Sequence, residues 1–225
     1  YSKPVSKNWI SSMVREISEE KEIVLGYSFF TKVKKQFNRL ARLDNHFFSM
    51  QYLSMAIKNR AFIGTYRNIA FKKHLFFDNK GFASCLNIEN GEDVFINQIM
   101  KKGNTAVALS QDSFIETSLD SFSLWKEIKK SYSIAKNYFK GNAISLFSFE
   151  ILTRYFFYLG MIVTIAYSIV FDKWGILGIS AFLFLFRLVV QLIVINKSCK
   201  YFSAGKFYFS LSLLDVFLPI YNLRF

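Results

Sequence analysis

The chain has 225 residues, is 52% hydrophobic and 19% aromatic, and carries a formal net charge of +13. With 20% of its residues charged it is not embedded in lipid throughout, yet it is richer in apolar residues than a water-soluble domain needs. Cys85 and Cys199 stand far apart; nothing suggests a disulfide framework or a zinc site, and a reducing compartment fits.

The N-terminal residues 1–9 (YSKPVSKNW) are polar, lack an initiator Met and show no signal peptide. They read as mid-domain sequence. The last residue, Phe225, follows an apolar run at once, so the chain is expected to be a fragment cut at both ends.

Residues 23–27 (IVLGY) form an apolar run of strand length, and 32–35 a charged break. Residues 37–58 have helical spacing, with Leu40, Leu43, Phe47, Met50, Leu53 and Ile57 on one stripe. A short strand or turn at 68–71, a short helix at 72–77 and a turn at 78–81 (DNKG) follow. Asn90 is placed to cap a helix whose buried face holds Val94, Phe95, Ile99 and Met100. Residues 105–109 and 113–117 read as buried strands. Residues 124–139 form an amphipathic helix, with Trp125, Ile128, Tyr132 and Tyr138 among Lys126, Lys129, Lys130 and Lys136, suited to a membrane surface.

From residue 144 onward apolar runs dominate. Spans are expected at about 151–171 and 174–195, joined by a tight turn at Asp172 and Lys173. A third apolar segment, about 207–220, is interrupted by Asp215 and Pro219 and reads as a broken span or a re-entrant piece. The polar part is therefore 1–142 and the membrane region 143–225. Lysines precede the first span and follow the second, at Lys197, Lys200 and Lys206. The positive-inside rule puts the polar part in the cytoplasm of a multi-pass protein of the plasma (inner) membrane. The basic excess then faces anionic lipid; no nucleic-acid motif occurs, and no nucleic-acid partner is expected.

Four features bear on chemistry. In residues 91–97 (GEDVFIN), the adjacent Glu92 and Asp93 follow a glycine at a helix start. They either present a general base kept ionised by the helix dipole, or merely complement that dipole. In residues 64–73 (GTYRNIAFKK), a substrate-facing loop would place Arg67 against phosphate or sugar hydroxyls; a solvated connector is the other reading. Trp125 and its following lysines either close over a substrate or rest on headgroups. Arg187 and Asp215 are isolated charges inside apolar runs and are expected to pair with each other; the other reading has Arg187 meeting a lumenal water path or snorkelling. His46 and His74 lack a partner at metal-ligand spacing, and no metal site, P-loop or Rossmann glycine pattern occurs.

Taken in order, KPVSKNWI (3–10), IVLGY (23–27), the long helix, GTYRNIAFKKHLF (64–76), NKGF (79–82), GEDVFIN (91–97), Trp125 and the apolar hairpin resemble membrane-bound glycosyltransferases of family 2. The likeness is to the poly-N-acetylglucosamine-synthase-like and cellulose-synthase-like branch, and it covers nearly the whole chain. It implies an α/β fold: residues 1–142 as the acceptor and catalytic-base half of a GT-A domain, with 124–139 as interface helix, followed by transmembrane helices. It implies inverting transfer from a nucleotide sugar to a glycan or lipid acceptor, with Asp93, beside Glu92, as base. Gly64, Arg67, Asn68, Trp125, Lys129 and Lys130 become substrate-binding residues.

The resemblance also implies Mg²⁺ or Mn²⁺, held by an Asp-X-Asp segment that in the family lies just before the position of residues 2–9 and is missing here. The fragment alone is therefore expected to be inactive and to bind nucleotide sugar poorly. The family's late Gln-X-X-Arg-Trp-type motif is degenerate, with Ile128 where a Gln is expected and Lys129 and Lys130 as its basic match. That leaves single transfer as open as processive synthesis. The alternatives are a non-catalytic membrane scaffold with a degenerate transferase-like domain and, on the intramembrane charges alone, a small transporter subunit.

Overall fold

The computed structural model of the chain describes residues 2–140, 143–208 and 210–222. It is mixed α/β, 57% helical with small sheets. The contacts divide it into two compact units. The first holds residues 2–140 together with Phe202–Ala204; the second holds the remaining described residues from 143 on. The boundary expected at 142 and position 209 of the third apolar segment lie outside the described residues.

In the first unit the elements run β1 (Ser2–Pro4), α1 (Trp9–Val14), β2 (Ile23–Gly26), β3 (Ser28–Phe30), α2 (Gln36–Ile57), β4 (Ile69–Phe71), α3 (Lys73–Asp78), α4 (Gly91–Ile99), β5 (Thr105–Ala108), β6 (Ile115–Thr117) and α5 (Phe122–Lys136). The strands form two three-stranded sheets of mixed direction. β2 lies between β5, parallel to it, and β4, antiparallel. β6 lies between β3, parallel, and β1, antiparallel. The run at 23–27 is apolar at every position because β2 is buried on both faces: Ile23, Val24 and Leu25 are fully buried.

Of the apolar stripe of α2, Leu43 and Leu53 are buried while Ile57 at its end is exposed; Tyr52 donates its hydroxyl to Gly26 O at 3.0 Å. His46 is fully buried in the same helix, its Nδ1 3.1 Å from the Tyr27 hydroxyl. Burial pushes its imidazole down to about 4, so it is neutral. His74 is half exposed and meets Glu22 at 2.9 Å. Phe202, far along the chain, packs at a tilt against Tyr27 (4.5 Å between ring centroids) and stacks on Phe114 (5.6 Å).

Two local expectations need correction. Asn90 precedes α4, but with left-handed backbone (φ 58°) and no side-chain capping bond; its own conformation, not its amide, turns the chain. Trp125 does not rest on headgroups: it is 1% exposed, facing into the first unit with Ser131 and Ala135 of α5. α5 itself begins two residues earlier than expected, where Ser121 Oγ accepts the Leu124 amide at 3.1 Å.

In the second unit, α6 (Ala143–Val170) and α7 (Trp174–Tyr201) pack together around the turn at 171–173, followed by α8 (Ser210–Asn222). The segments Leu152–Val170 and Trp174–Tyr201 are long and apolar enough to cross a membrane. α8, with 13 residues, rises about 20 Å, short of a core of about 30 Å. Ser180 Oγ and Thr164 Oγ1 meet at 3.3 Å between α6 and α7. Arg187 and Asp215 do meet, at 3.7 Å, but the nearer cation is Arg154 at 2.9 Å. Tyr158 and Gln191 also donate to Asp215, at 2.7 and 3.2 Å.

Candidate functional site

The first unit contains a cleft enclosing ≈ 590 Å³ of empty space, its open mouth included. Four expected site residues, Arg67, Asp93, Trp125 and Lys129, converge on it from the β4 approach, α4 and α5.

Asp93 sits in the first turn of α4. Gly91, at the start of that turn, is tight against the Cys85 carbonyl, so a side chain there would collide with backbone. The Asp93 carboxylate is 5% exposed and accepts the Tyr66 amide at 3.3 Å. The helix dipole was expected to keep it ionised. Burial outweighs that: the carboxyl is pushed up to about 7, against the lowering effects of the Tyr66 amide and the Arg67 guanidinium, with Glu92 adding a little upward. Near neutral pH such a group exchanges protons in either direction.

Arg67 is held on three sides. Its Nη2 donates to Asn45 Oδ1 at 2.8 Å and its Nε to Thr65 Oγ1 at 3.1 Å; its Cζ stands 4.9 Å from the Phe30 ring centroid. Asn45 is fixed in turn, donating to Ser28 O at 2.8 Å. Lys129 meets Asp44 at 2.5 Å, both side chains being largely buried. Trp125, Phe48 and Tyr132 complete an aromatic wall, with Phe48 and Tyr132 edge to face at 5.1 Å. Burial, then the Asp93 and Asp44 carboxylates, push the Tyr132 phenol well above its usual range, so it stays a donor.

The other expected site residues lie elsewhere. Glu92 is exposed, about 100° around α4 from Asp93. Lys130 is exposed and likewise off the cleft. Gly64 is buried against Leu25. The Asn68 side chain is fully committed within the fold: Nδ2 donates to Tyr27 O and Ser113 O, each at 2.8 Å, and Oδ1 accepts Trp9 Nε1 at 3.1 Å. It also fills the space beside Gly26 that a Cβ would take.

Asp44, Asn45, Phe30, Phe48 and Tyr132 were not anticipated as site residues. A signal existed for two of them. Asp44 and Asn45 interrupt the apolar stripe of α2 with polar groups that are buried, and buried polar groups need partners.

Among the described residues no group of three or more His, Cys, Asp and Glu is placed to hold a metal ion. The cleft therefore offers no ligand set for the divalent cation that the resemblance implies. What it offers is one carboxyl poised near neutrality, one fixed guanidinium, the Asp44–Lys129 ion pair and an aromatic wall. That set suits a hydroxyl-bearing ligand with apolar faces. No family model, no curated protein and no solved structure matches the chain.

Proposed function

We propose that the chain is the acceptor-side half of a family 2 glycosyltransferase of GT-A type, anchored by its apolar helices with the cleft on the cytoplasmic side. The single observation carrying this reading is the convergence of Asp93, Arg67, Trp125 and Lys129, distant in sequence, on one cleft. In the proposed reaction an acceptor hydroxyl, belonging to a glycan or a lipid, gives its proton to the Asp93 carboxylate. The hydroxyl oxygen forms a bond to the anomeric carbon of a nucleotide sugar from the face opposite the leaving group. The bond to the nucleoside diphosphate breaks, the diphosphate leaves with the electron pair, and the configuration inverts. The partly exposed rings of Phe48 and Tyr132 supply apolar surface for a sugar ring, and Arg67 donates to acceptor oxygens.

One observation favours a second reading, a non-catalytic membrane scaffold with a degenerate transferase-like domain. Ile128 lines the cleft where the resemblance calls for a glutamine. The deciding experiment is transfer of labelled sugar from nucleotide sugars into membrane glycans or lipids by the complete gene product and by Asp93→Asn. Turnover lost in the variant supports the enzyme; turnover equal in both removes Asp93 as base. Absence of turnover with every common donor leaves the scaffold.

A further inference from the structure

The cluster around Asp215 is unequally shared. Arg154 and Arg187 bring two positive charges to one fully buried carboxylate. These three residues keep one net positive charge among apolar helices, where charge without a counter-ion is costly. Asp215 is engaged most closely by others: Arg154 at 2.9 Å, the Tyr158 hydroxyl at 2.7 Å and the Gln191 amide at 3.2 Å. Arg187 is left at 3.7 Å, too far for a hydrogen bond.

The rest of Arg187 is held ready rather than satisfied. Its guanidinium lies over Phe157, at 4.2 Å, and near Tyr158, at 5.4 Å. Its Nε is buried with no hydrogen-bond partner among the described residues. Its side chain is 27% exposed, against 8% for Arg154 and none for Asp215. The opening is therefore at Arg187, and it is bordered on the same helix by exposed Leu183, Phe184 and Val190. A ligand arriving there needs an anionic group to meet the guanidinium and an apolar body to lie along α7.

Depth agrees with a lipid. From Lys173 in the turn, α7 rises about 21 Å to Arg187 at about 1.5 Å per residue. In a core of about 30 Å this leaves Arg187 about 9 Å from the far boundary, within partial reach of a side chain extended toward the headgroups.

We infer that Arg187, oriented by Phe157 and biased by Asp215, is a docking site for the phosphate of a lipid-linked phosphate lying along α7. The part-exposed planar guanidinium suits a phosphate oxygen pair. Asp215 repels that phosphate, so the site is tuned to hold it reversibly. The site belongs to the second unit alone and stands whether or not the cleft is catalytic.

The test uses the complete protein in nanodiscs of phosphatidylcholine doped with phosphatidate, with a polyprenyl phosphate, or with neither. Retained lipid is counted by native mass spectrometry, with inorganic phosphate as competitor. Both lipid phosphates should be retained over phosphatidylcholine, and R187Q should lower that preference about tenfold, the effect of losing a charge-assisted hydrogen bond. D215N should raise it, because the repelling charge is gone.

Retention of the polyprenyl phosphate alone would identify a carrier lipid as the source. Displacement by millimolar inorganic phosphate would show that the tail contributes nothing and would overturn the lipid assignment. The loop lysines attract anionic headgroups regardless, so only the part that R187Q removes counts. An unchanged preference in R187Q, or a loss in both variants alike, overturns the proposal, the latter by showing a purely structural ion pair. Should R187Q aggregate in detergent, photoactivatable phosphatidate on the unaltered protein decides: labelling on α7 around residue 187 supports the site, and labelling only elsewhere overturns it.

Discussion

The Tyr66 amide donates to the Asp93 carboxylate across 3.3 Å, tying the loop before β4 to the first turn of α4. This bond is one of the few forces that favour the charged form of Asp93, and burial overrides it, leaving the group at about 7. Two consequences follow for pH.

Activity that uses Asp93 as base should rise with pH through about 7, because the carboxylate is the reactive form. Asp93→Asn should abolish this limb together with the turnover. The measurement is kcat/KM against pH for the complete protein; a flat profile from pH 5 to 8 contradicts the assignment.

Stability should move the other way. The folded carboxyl titrates at about 7 and an ordinary aspartate at 3.8, so between those pH values the unfolded chain has lost the proton that the folded chain keeps. Stability is therefore highest below about 4, falls as pH rises, and levels off above about 7, a total of a few kcal/mol. Asp93→Asn should melt higher than the parent at pH 8 and show a smaller pH dependence. Thermal unfolding in detergent at pH 5 and pH 8 reads the sign directly.

The Asp44–Lys129 pair, at 2.5 Å and mostly buried, should show a coupling energy of about 1–3 kcal/mol in a double-mutant cycle of Asp44→Asn and Lys129→Gln. A coupling near zero would mark it as a solvated contact. Lys129→Gln should also raise KM more than it lowers kcat, since the pair forms a wall of the cleft.

Asn68→Ala should destabilise by about 2–4 kcal/mol, because it deprives the Tyr27 and Ser113 carbonyls and the Trp9 indole of their buried partner. Substrate affinity of the folded protein should not change. A loss of affinity with unchanged stability would return Asn68 to the binding site.

The contrast between Asn68 and Arg67 explains which parts of the site the sequence revealed. The segment 64–68 was read as one substrate-facing loop, but only its middle faces the cleft: Thr65, Tyr66 and Arg67 line it, while Gly64 and Asn68 at its ends are buried in the interior. The chain turns here, with the Asn68 amide donating to Thr65 O at 3.2 Å, so a motif read as a block takes in neighbours that the turn sends to the interior. Glu92 and Asp93 part company because successive residues of a helix point about 100° apart, so Asp93 lines the cleft and Glu92 does not. Long helices were legible because their periodicity is repeated over many residues, as in α2. The pairing of β2 with β5, and of β6 with both β1 and β3, was not, because strands of three or four residues carry no signal of their partners. Phe30, Phe48 and Tyr132 lay hidden because an aromatic residue at a cleft wall and one in a core look alike in sequence.

The aromatic packing around Tyr27 has a bearing on biosynthesis. Phe202 packs against both Tyr27 and Phe114 in the first unit, yet it is encoded after both long apolar helices. During synthesis the polar unit leaves the ribosome first and must wait, with that hydrophobic seat uncovered, until α6 and α7 have been made. Completion of its core is thereby linked to delivery of the apolar helices. A chain whose helices stall would display an unfilled aromatic site in its otherwise assembled polar unit, a feature that quality-control proteases and chaperones are suited to detect.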